Sequence, residues 1–286
     1  MHMETKNTIP QVHTPLLPKV SIGMPVYNGE PFIREALNSL LVQTFTDFEL
    51  IISDNGSTDA TEAICKDYAE KDVRIRYLRQ AENRGPVANF QFVLDESVGE
   101  YFMWCAVDDK RDQTFLEQGI EILDNNPDCV SVLSHYEMFD INNSNILEKI
   151  TPSSIGSNSP FLRIKRSLED LIASFIYGLH RKSVIVDIPL DPFDLSDILF
   201  VSRLVSKGKY FIIPKVLYWV GINGSKRKPY SMTGRKVDFN LFRKKVFILL
   251  LKNSKITNFS LYDNFIKITI KLYFSQIRIN KEIKNN

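Results

Sequence analysis

Short apolar runs separated by polar turns dominate the first half of the chain. Val20-Ser21-Ile22-Gly23-Met24 reads as a strand closed by Pro25. The turn Val26-Tyr27-Asn28-Gly29-Glu30-Pro31 then leads into a helix with Phe32, Ile33, Ala36, Leu37, Leu40 and Leu41 at helical spacing. Phe48-Glu49-Leu50-Ile51-Ile52 reads as a second strand and runs into Ser53-Asp54-Asn55-Gly56-Ser57-Thr58-Asp59. There Gly56 supplies turn geometry, and Ser57, Thr58 or Asp59 can cap a helix to about Asp72. A third strand is predicted from Ile75 to Arg79, and a helix follows Asn83-Arg84-Gly85-Pro86 to about Ser97.

The run from Gly99 through Tyr101, Phe102, Met103 and Trp104 to Val107 is apolar and aromatic, then stops at Asp108-Asp109. It reads as a strand buried on both faces, the kind found in a parallel sheet. Adjacent carboxylates repel and resist desolvation. A hard divalent cation, held by one or two carboxylates plus substrate phosphates, would neutralise them; a solvated Asp-Asp turn is the plain alternative. Four strands alternating with three helices imply right-handed crossovers and a mostly parallel sheet flanked by helices. Ligands of such sheets gather at the carboxyl ends of the strands. Tyr27, Asp54, Arg84, Asp108 and Asp109 all fall at those ends.

A helix over about Thr114 to Asn125 and a strand from Val130 to Tyr136 continue the unit. Asp140 to Asn145 reads as a turn and Ser153 to Pro160 as a flexible stretch. Later expectations are a helix near Leu168–Ile176, another over Asp194–Lys207, and strands near Tyr210–Ile213 and Val216–Val220. Two further helices are expected at Phe239–Lys252 and Leu261–Ile279. The division is a disordered leader over 1–18, an α/β half over 19–135, a second half over 136–225 and a basic amphipathic helical tail over 226–286; the resemblance given below makes the two halves nucleotide-sugar-binding and acceptor-binding.

Charge sharpens that division. Residues 226–286 hold 15 Lys or Arg against 3 Asp or Glu, while the rest holds 21 against 31. A near-neutral or acidic body with a basic tail meets something anionic, and phosphate head groups at a membrane surface and nucleic acid both qualify. Of the 286 residues 44% are hydrophobic, enough for a sizeable core. The three cysteines, Cys65, Cys105 and Cys129, have no metal-ligand spacing and read as buried free thiols of a reducing compartment. The leader, with Pro10, Pro15 and Pro18, does not resemble a secretory signal, and no apolar run approaches the roughly 20 residues that span a bilayer. The expectation is a cytoplasmic protein.

Val20 to Asn28, Ser53 to Asp59, Glu82-Asn83-Arg84-Gly85, and Gly99-Glu100-Tyr101 followed by Asp108-Asp109 together resemble the family 2 glycosyltransferases of GT-A fold. The likeness is clear over about 19–135 and patchy to about 225. It implies an inverting, metal-dependent enzyme using a nucleotide diphosphate sugar, UDP-linked by preference. Pro25, Tyr27, Asp54 and Arg84 would contact the nucleotide, with Tyr27 against the base and Asp54 accepting a hydrogen bond from it. Asp109 would hold Mn²⁺ or Mg²⁺ on the diphosphate, and Asp108 would contact ribose or the metal. The family's motif is Asp-x-Asp-Asp, and Ala106 stands where its first Asp belongs.

Ser196-Asp197 before an apolar helix and Lys207-Gly208 resembles the acceptor-side motif, which makes Asp197 the catalytic base, with Asp194 as competitor. No catalytic His is assigned. His180 and Arg181 suit either a phosphate or acceptor contact or a plain exposed pair. The Gln-x-x-Arg-Trp sequence of processive synthases is absent, so addition of one sugar at a time to a saccharide or lipid-linked saccharide is implied, with the tail as a peripheral membrane contact and no nucleic-acid partner. Seen alone, Asp54 also fits an Asx-turn. Ala106 leaves open a non-catalytic binding protein of the same fold. A nucleotidyltransferase ranks lower because the loop after the first strand has one Gly and no base. A dinucleotide-dependent oxidoreductase ranks lower still for want of Gly-x-Gly-x-x-Gly.

Overall fold

The computed structural model describes residues 17–170, 173–192, 195–222 and 239–253. It opens with β1 (Val20–Val26), α1 (Ile33–Leu41), β2 (Phe48–Asp54), α2 (Thr61–Lys71), β3 (Ile75–Arg79), α3 (Pro86–Asp95) and β4 (Tyr101–Trp104). β1 pairs in parallel with β2 and β4, and β2 with β3. Every residue of β2 and β4 is buried, and α1 and α3 pack their apolar stripes on the sheet, which is why these strands read as continuous apolar runs.

Pro25 lies inside β1 instead of closing it. The Gly23 carbonyl accepts from Cys105, so residue 25 faces the β4 side, and β4 ends opposite Gly23. A missing N–H there costs no ladder bond.

After β4 come β5 (Lys110–Arg111), α4 (Phe115–Asn125), β6 (Cys129–Asp140), β7 (Ile146–Ile150), α5 (Pro160–Asp170), a 3₁₀ turn (Ala173–Tyr177), β8 (Leu179–Arg181), α6 (Lys182–Ile185), α7 (Ser196–Lys207), β9 (Lys209–Ile222) and α8 (Phe239–Lys252). The described strands form one sheet in the order β3-β2-β1-β4-β8-β6-β9-β5, with β7 on β6. β8 runs antiparallel to both β4 and β6, so the second half of the sheet is mixed. β6 crosses position 135, so the two predicted halves share this sheet.

Three expectations change here. The strands predicted near 210–213 and 216–220 are one, β9, whose register against β6 slips between Ser134 and His135, where Pro214 and Lys215 bulge out. The helix expected near 168–176 starts at Pro160 instead, which suits proline at a first helical position. The stretch expected to be flexible is tied to β9, since Ile155 and Tyr210 exchange both backbone hydrogen bonds, at 2.8 and 3.0 Å.

The helix predicted over 239–252 is present as α8 and packs against α7, with Phe242, Val246 and Leu250 buried at helical spacing. The helix predicted at Leu261–Ile279 and most of the leader lie outside the described residues. Among the described residues no helix is long and apolar enough to cross a membrane. Cys65, Cys105 and Cys129 are buried and unpaired, and burial pushes the thiols of Cys65 and Cys105 up to about 12.

Candidate active site

β1, β2 and β3 run in register, with Val26 opposite Asp54 and Asp54 opposite Arg79, so the loops that follow open on one rim. Polar side chains lace those loops together. Asn28 N–H donates to Ser57 Oγ (2.9 Å), Gly29 N–H to Thr61 Oγ1 (2.8 Å), and Thr58 N–H to Asn28 Oδ1 (2.8 Å). Asn55 then bridges to the next loop: its amide donates to Asn83 Oδ1 (2.9 Å) and its Oδ1 accepts from Arg84 N–H (2.9 Å). The loop after β4 closes the ring, because a Cβ at Gly29 would stand only 2.7 Å from the Val107 side chain.

Asn28, at φ 52°, holds the left-handed conformation that this residue type tolerates, and so turns the chain at the rim. Tyr27 beside it is 48% exposed, an aromatic face offered to solvent. Pro25 is partly buried beneath the rim, and Arg84 is exposed.

Asp54 is 0% exposed. Its carboxylate accepts from Ser57 N–H (2.8 Å), Tyr77 Oη–H (2.7 Å) and Arg79 Nη1 (2.6 Å). Burial pushes its pKa up, but the hydrogen bonds from Ser57 and Tyr77 and the Arg79 charge outweigh burial and hold the group below the usual carboxylate range. The expected direct contact between Asp54 and a nucleotide base does not fit a side chain with no exposed surface. Asp54 instead fixes the loop on which Asn55 to Ser57 sit. Tyr77 and Arg79 were not singled out in the sequence, although the register of a predicted parallel strand puts Arg79 level with Asp54.

The two carboxylates after β4 part company. Asp109 is 2% exposed and turned toward β9. Its Oδ2 accepts from Tyr218 Oη–H (2.5 Å) and its Oδ1 from Gly221 N–H (3.0 Å). Gly221 must be glycine, because a Cβ there would collide with the Asp108 carbonyl oxygen. Burial, then the neighbouring Asp108 charge, raises Asp109 to about 7.

Arg111 lies beneath, 3% exposed, 3.6 Å over the Tyr218 ring and 4.7 Å over the Phe115 ring. Its Nη2 donates to the Tyr177 carbonyl (2.5 Å), and its Nε and Nη1 find no partner among the described residues. The expectation that Asp109 faces a diphosphate-bound cation does not fit this burial. Asp108, partly exposed on the rim, is the carboxylate placed to meet one. Among the described residues no cluster of three or more His, Cys, Asp or Glu side chains is arranged for a metal ion. A single outward carboxylate still fits a Mg²⁺-type ion that takes its other ligands from water and phosphate.

Asp197 sits in the first turn of α7, partly exposed, its Oδ1 accepting from Ile198 N–H at 2.8 Å. Leu195 before it is buried at φ 73°, a left-handed conformation that costs a branched residue roughly 1–2 kcal/mol. The burial of its side chain holds the chain there and fixes where α7 begins. Asp191, 6% exposed, is clamped by Arg203 (2.6 Å) and by Lys245 of α8 (2.5 Å). A small, half-open surface cleft joins Asp197 and Ser196 to Pro86 and Val87, which directly follow the Arg84-Gly85 loop. Asp197 thus stands across a cleft from the start of α3, beside the loop that follows β3. Its competitor Asp194 lies outside the described residues.

His180 and Arg181 are neither exposed nor at the rim. His180 Nδ1 is 2.7 Å from Ser131 Oγ and its Nε2 is 2.8 Å from the Ile176 carbonyl, at 0% exposure. Burial holds its pKa down, to about 4. Arg181 donates to the carbonyls of Cys129, Leu123 and Asn126. Both are structural, because β8 is an interior strand of the sheet. Trp104 is packing as expected, and Trp219 donates to Glu137 (3.1 Å).

An α/β sheet whose first strands deliver an aromatic face and a carboxylate to one rim, with a second carboxylate across a cleft, is the build of the nucleotide-sugar transferases of GT-A fold. Residues 21–184, more than half of the chain, match the family described as Glycosyl transferase family 2, and the chain belongs to it. Similar curated proteins include an uncharacterised glycosyltransferase of Rickettsia bellii (strain RML369-C), 35% identical over 165 residues, which cover 56% of this chain and 23% of that protein. Another is the glycosyltransferase GlyA of Streptococcus pneumoniae serotype 4, 37% identical over 99 residues, 35% of this chain and 14% of that protein.

The chain thus spans between about a quarter and a half of the first such relatives, 23% to 48% of their length. Among solved structures, S. aureus TarS 1-349 in complex with UDP superposes with a TM-score of 0.67 at 20% identity, covering 90% of this chain and 72% of that one. The mannosyltransferase PcManGT from Pyrobaculum calidifontis in complex with GDP-Man and Mn2+ superposes at 0.57 and 16% identity, over 84% and 66%. At those identities the likeness establishes the GT-A fold.

Proposed function

We propose that this protein moves a single sugar from a nucleotide diphosphate sugar to an acceptor hydroxyl, with inversion at the anomeric carbon. The observation that supports the reading is the grouping of an exposed Tyr27 face, a partly exposed Asp108, and Asp197 across a cleft from Pro86 and Val87, which follow the Arg84-Gly85 loop.

The Tyr27 ring stacks on the nucleotide base, and the Asp54-fixed loop with Arg84 borders the nucleotide. Pro25 sets where that rim begins. Charge growing on the departing diphosphate would be neutralised by Mn²⁺ or Mg²⁺ held by Asp108. Asp197 takes the proton from the acceptor hydroxyl as that oxygen attacks the face opposite the leaving group. A positioned general base of this kind contributes roughly 10²–10⁴ in rate.

Since TarS of the same fold is known with UDP and with UDP-GlcNAc, UDP-linked donors are the first to test. Placement in cell-surface polysaccharide or glycolipid synthesis, at the cytoplasmic face of a membrane through the basic tail, is part of the proposal and rests on the family resemblance and charge pattern alone. Binding to anionic vesicles, lost when residues 254–286 are removed, checks the membrane part.

Ala106 and the sparse metal donors favour a second reading, a binding protein of the same fold without chemistry. Hydrolysis of UDP- and GDP-linked sugars, measured with Mn²⁺ and with chelator, separates the two. Chelator-sensitive release of nucleotide diphosphate supports the transferase. Donor binding without release under any metal supports the binding protein, and failure to bind any nucleotide sugar overturns both.

A further inference from the structure

Asp191 is a buried charge that the reaction proposed above does not use. It stands six residues before Asp197 and is 6% exposed. Two cations meet it, Arg203 Nη1 on one oxygen at 2.6 Å and Lys245 Nζ on the other at 2.5 Å. The same Arg203 nitrogen donates to the Pro189 carbonyl at 2.9 Å. Arg203 thus grips the chain on both sides of Leu190, and Leu190 borders the cleft on which Ser196 and Asp197 stand. Arg203 belongs to α7 itself, whereas Lys245 comes from α8, 54 residues beyond Asp191.

Two kinds of contact hold α8, and they differ in what they specify. Phe242, Val246 and Leu250 are buried at helical spacing, and α8 packs against α7. Apolar packing of the right volume secures a helix but tolerates rearrangement, losing uniqueness before stability. A buried carboxylate is less forgiving. Moved out of reach of its cations it is left uncompensated, and fixing register is the best-attested use of such groups. Lys244 and Lys252 of the same helix are exposed, while Lys245 reaches Asp191. All three members of the cluster lie beyond residues 21–184, the stretch that matches the family.

We propose that Lys245 is a positioning residue for the acceptor side: through Asp191 it sets where α7 begins, and so the place of the Asp197 carboxylate. The inference rests on the reading of Asp197 as the base. Asp191 pins one end of the lead-in to α7, and the buried, left-handed Leu195 pins the other, with Asp197 following in the first helical turn. α8 is then a part of the transferase machinery as well as a cover for its core.

The test is a double-mutant cycle on the full chain. The rate is nucleotide release with Mn²⁺ from UDP-GlcNAc or GDP-Man, whichever the wild type hydrolyses; calorimetry gives the affinity for UDP or GDP, and thermal melting checks folding. Lys245→Met keeps the stem and removes the charge. It should lower kcat by about 10- to 100-fold, the scale of a misplacement of about 1 Å, with KM and nucleotide affinity within about twofold of wild type. Lys245→Arg should restore most of the rate. In the Asp197→Asn background, Lys245→Met should cost less than about twofold more, because a base that is absent cannot be misplaced. Should Lys245→Met fail to fold, the isosteric Asp191→Asn takes its place in the cycle with the same expectations.

An unchanged kcat, a loss that appears in nucleotide affinity instead, or a loss that persists undiminished in the Asp197→Asn background overturns the inference and leaves the transferase reading intact. Should Asp197→Asn itself leave kcat unchanged, or the wild type bind no nucleotide sugar, the underlying reading fails, and this inference with it.

Discussion

The rim around Tyr27 and Asp54, which we propose faces the donor, and the cleft beside Asp197, proposed for the acceptor, are built by opposite means. Around Tyr27 and Asp54 the loops are short and polar, and each is held by its neighbour's side chains: Asn28 by Ser57 and Thr58, Asn55 by Asn83 and Arg84. Around Asp197 the fixing is apolar and long-range. Leu195 is strained and buried, Phe200 meets Trp104, and one buried ion cluster, Asp191 with Arg203 and Lys245, ties α8 to the chain before α7. Under the proposed function, polar lacing would position groups for a charged, hydrogen-bonding nucleotide, and apolar packing would fix a single carboxylate for the acceptor. Asp108 and Asp109 repeat the contrast in miniature, one partly exposed and the other buried against β9.

The sharpest break between the two regions comes from removing one outward carboxylate at a time. Asp108→Ala should reduce sugar transfer to background and abolish Mn²⁺-dependent donor binding, as read by nucleotide release and thermal shift. Asp197→Asn should lower kcat by roughly 10²–10⁴ while the affinity for UDP with Mn²⁺ stays near wild type. A donor affinity that fell with Asp197→Asn would mean the two regions are not separable.

Acid tests the interior between them. His180 is held neutral by burial, with its folded value at about 4 and its ordinary value near 6.5. The unfolded chain therefore binds the extra proton first. Stability is complete above about pH 6.5 and declines as pH falls toward 4, by at most about 1.4 kcal/mol per unit. Asp54, held low in the fold, loses its contribution in the same direction but at lower pH. Asp109, raised in the fold to about 7, gains stability as pH falls over the same range and opposes this decline. The His180 part is therefore read as the difference in slope between wild type and His180→Gln in denaturant titrations from pH 7 to 5; identical slopes would mean His180 is not the group responsible.

A smaller effect is expected from Tyr218→Phe. It leaves one Asp109 oxygen without its donor and should cost about 1–3 kcal/mol of stability in denaturant titration. Donor binding should weaken only as far as the Asp108 loop loosens. If transfer fell as far as in Asp108→Ala, Asp109 would be part of the binding machinery after all.

Sequence pattern reached the loops after β1 and β2 well and the long-range partners of Asp109 and Arg111 poorly, for a physical reason. Asn28, Asp54, Asn55, Gly56 and Ser57 announce themselves because turns restrict which residues can stand there, and that restriction is local. The partners of Asp109 carry no such mark: Tyr218 and Gly221 lie more than 100 residues further on, and an apolar strand with a tyrosine looks like any other. The same holds for Arg111, whose burial depends on Tyr218 and Phe115 meeting over it. His180 was ambiguous because a strand of three residues, Leu179–Arg181, gives too short a period to show which face is buried. Even so, the place of Asp197 in the first turn of α7 was legible, since a carboxylate at the head of an apolar helix is itself a local signal.

The central claim is that Asp108, and not its buried neighbour, meets a metal-bound nucleotide diphosphate at the rim of β1 to β4. Calorimetric titration of UDP, and of GDP in parallel, in the presence of Mn²⁺ tests it on wild-type protein, Asp108→Asn and Asp109→Asn. The account predicts that wild type binds one of the two, that Asp108→Asn abolishes the metal-dependent part of that binding, and that Asp109→Asn, where it folds, retains most of it. Binding that ignores Asp108, or that is lost only with Asp109, would contradict it.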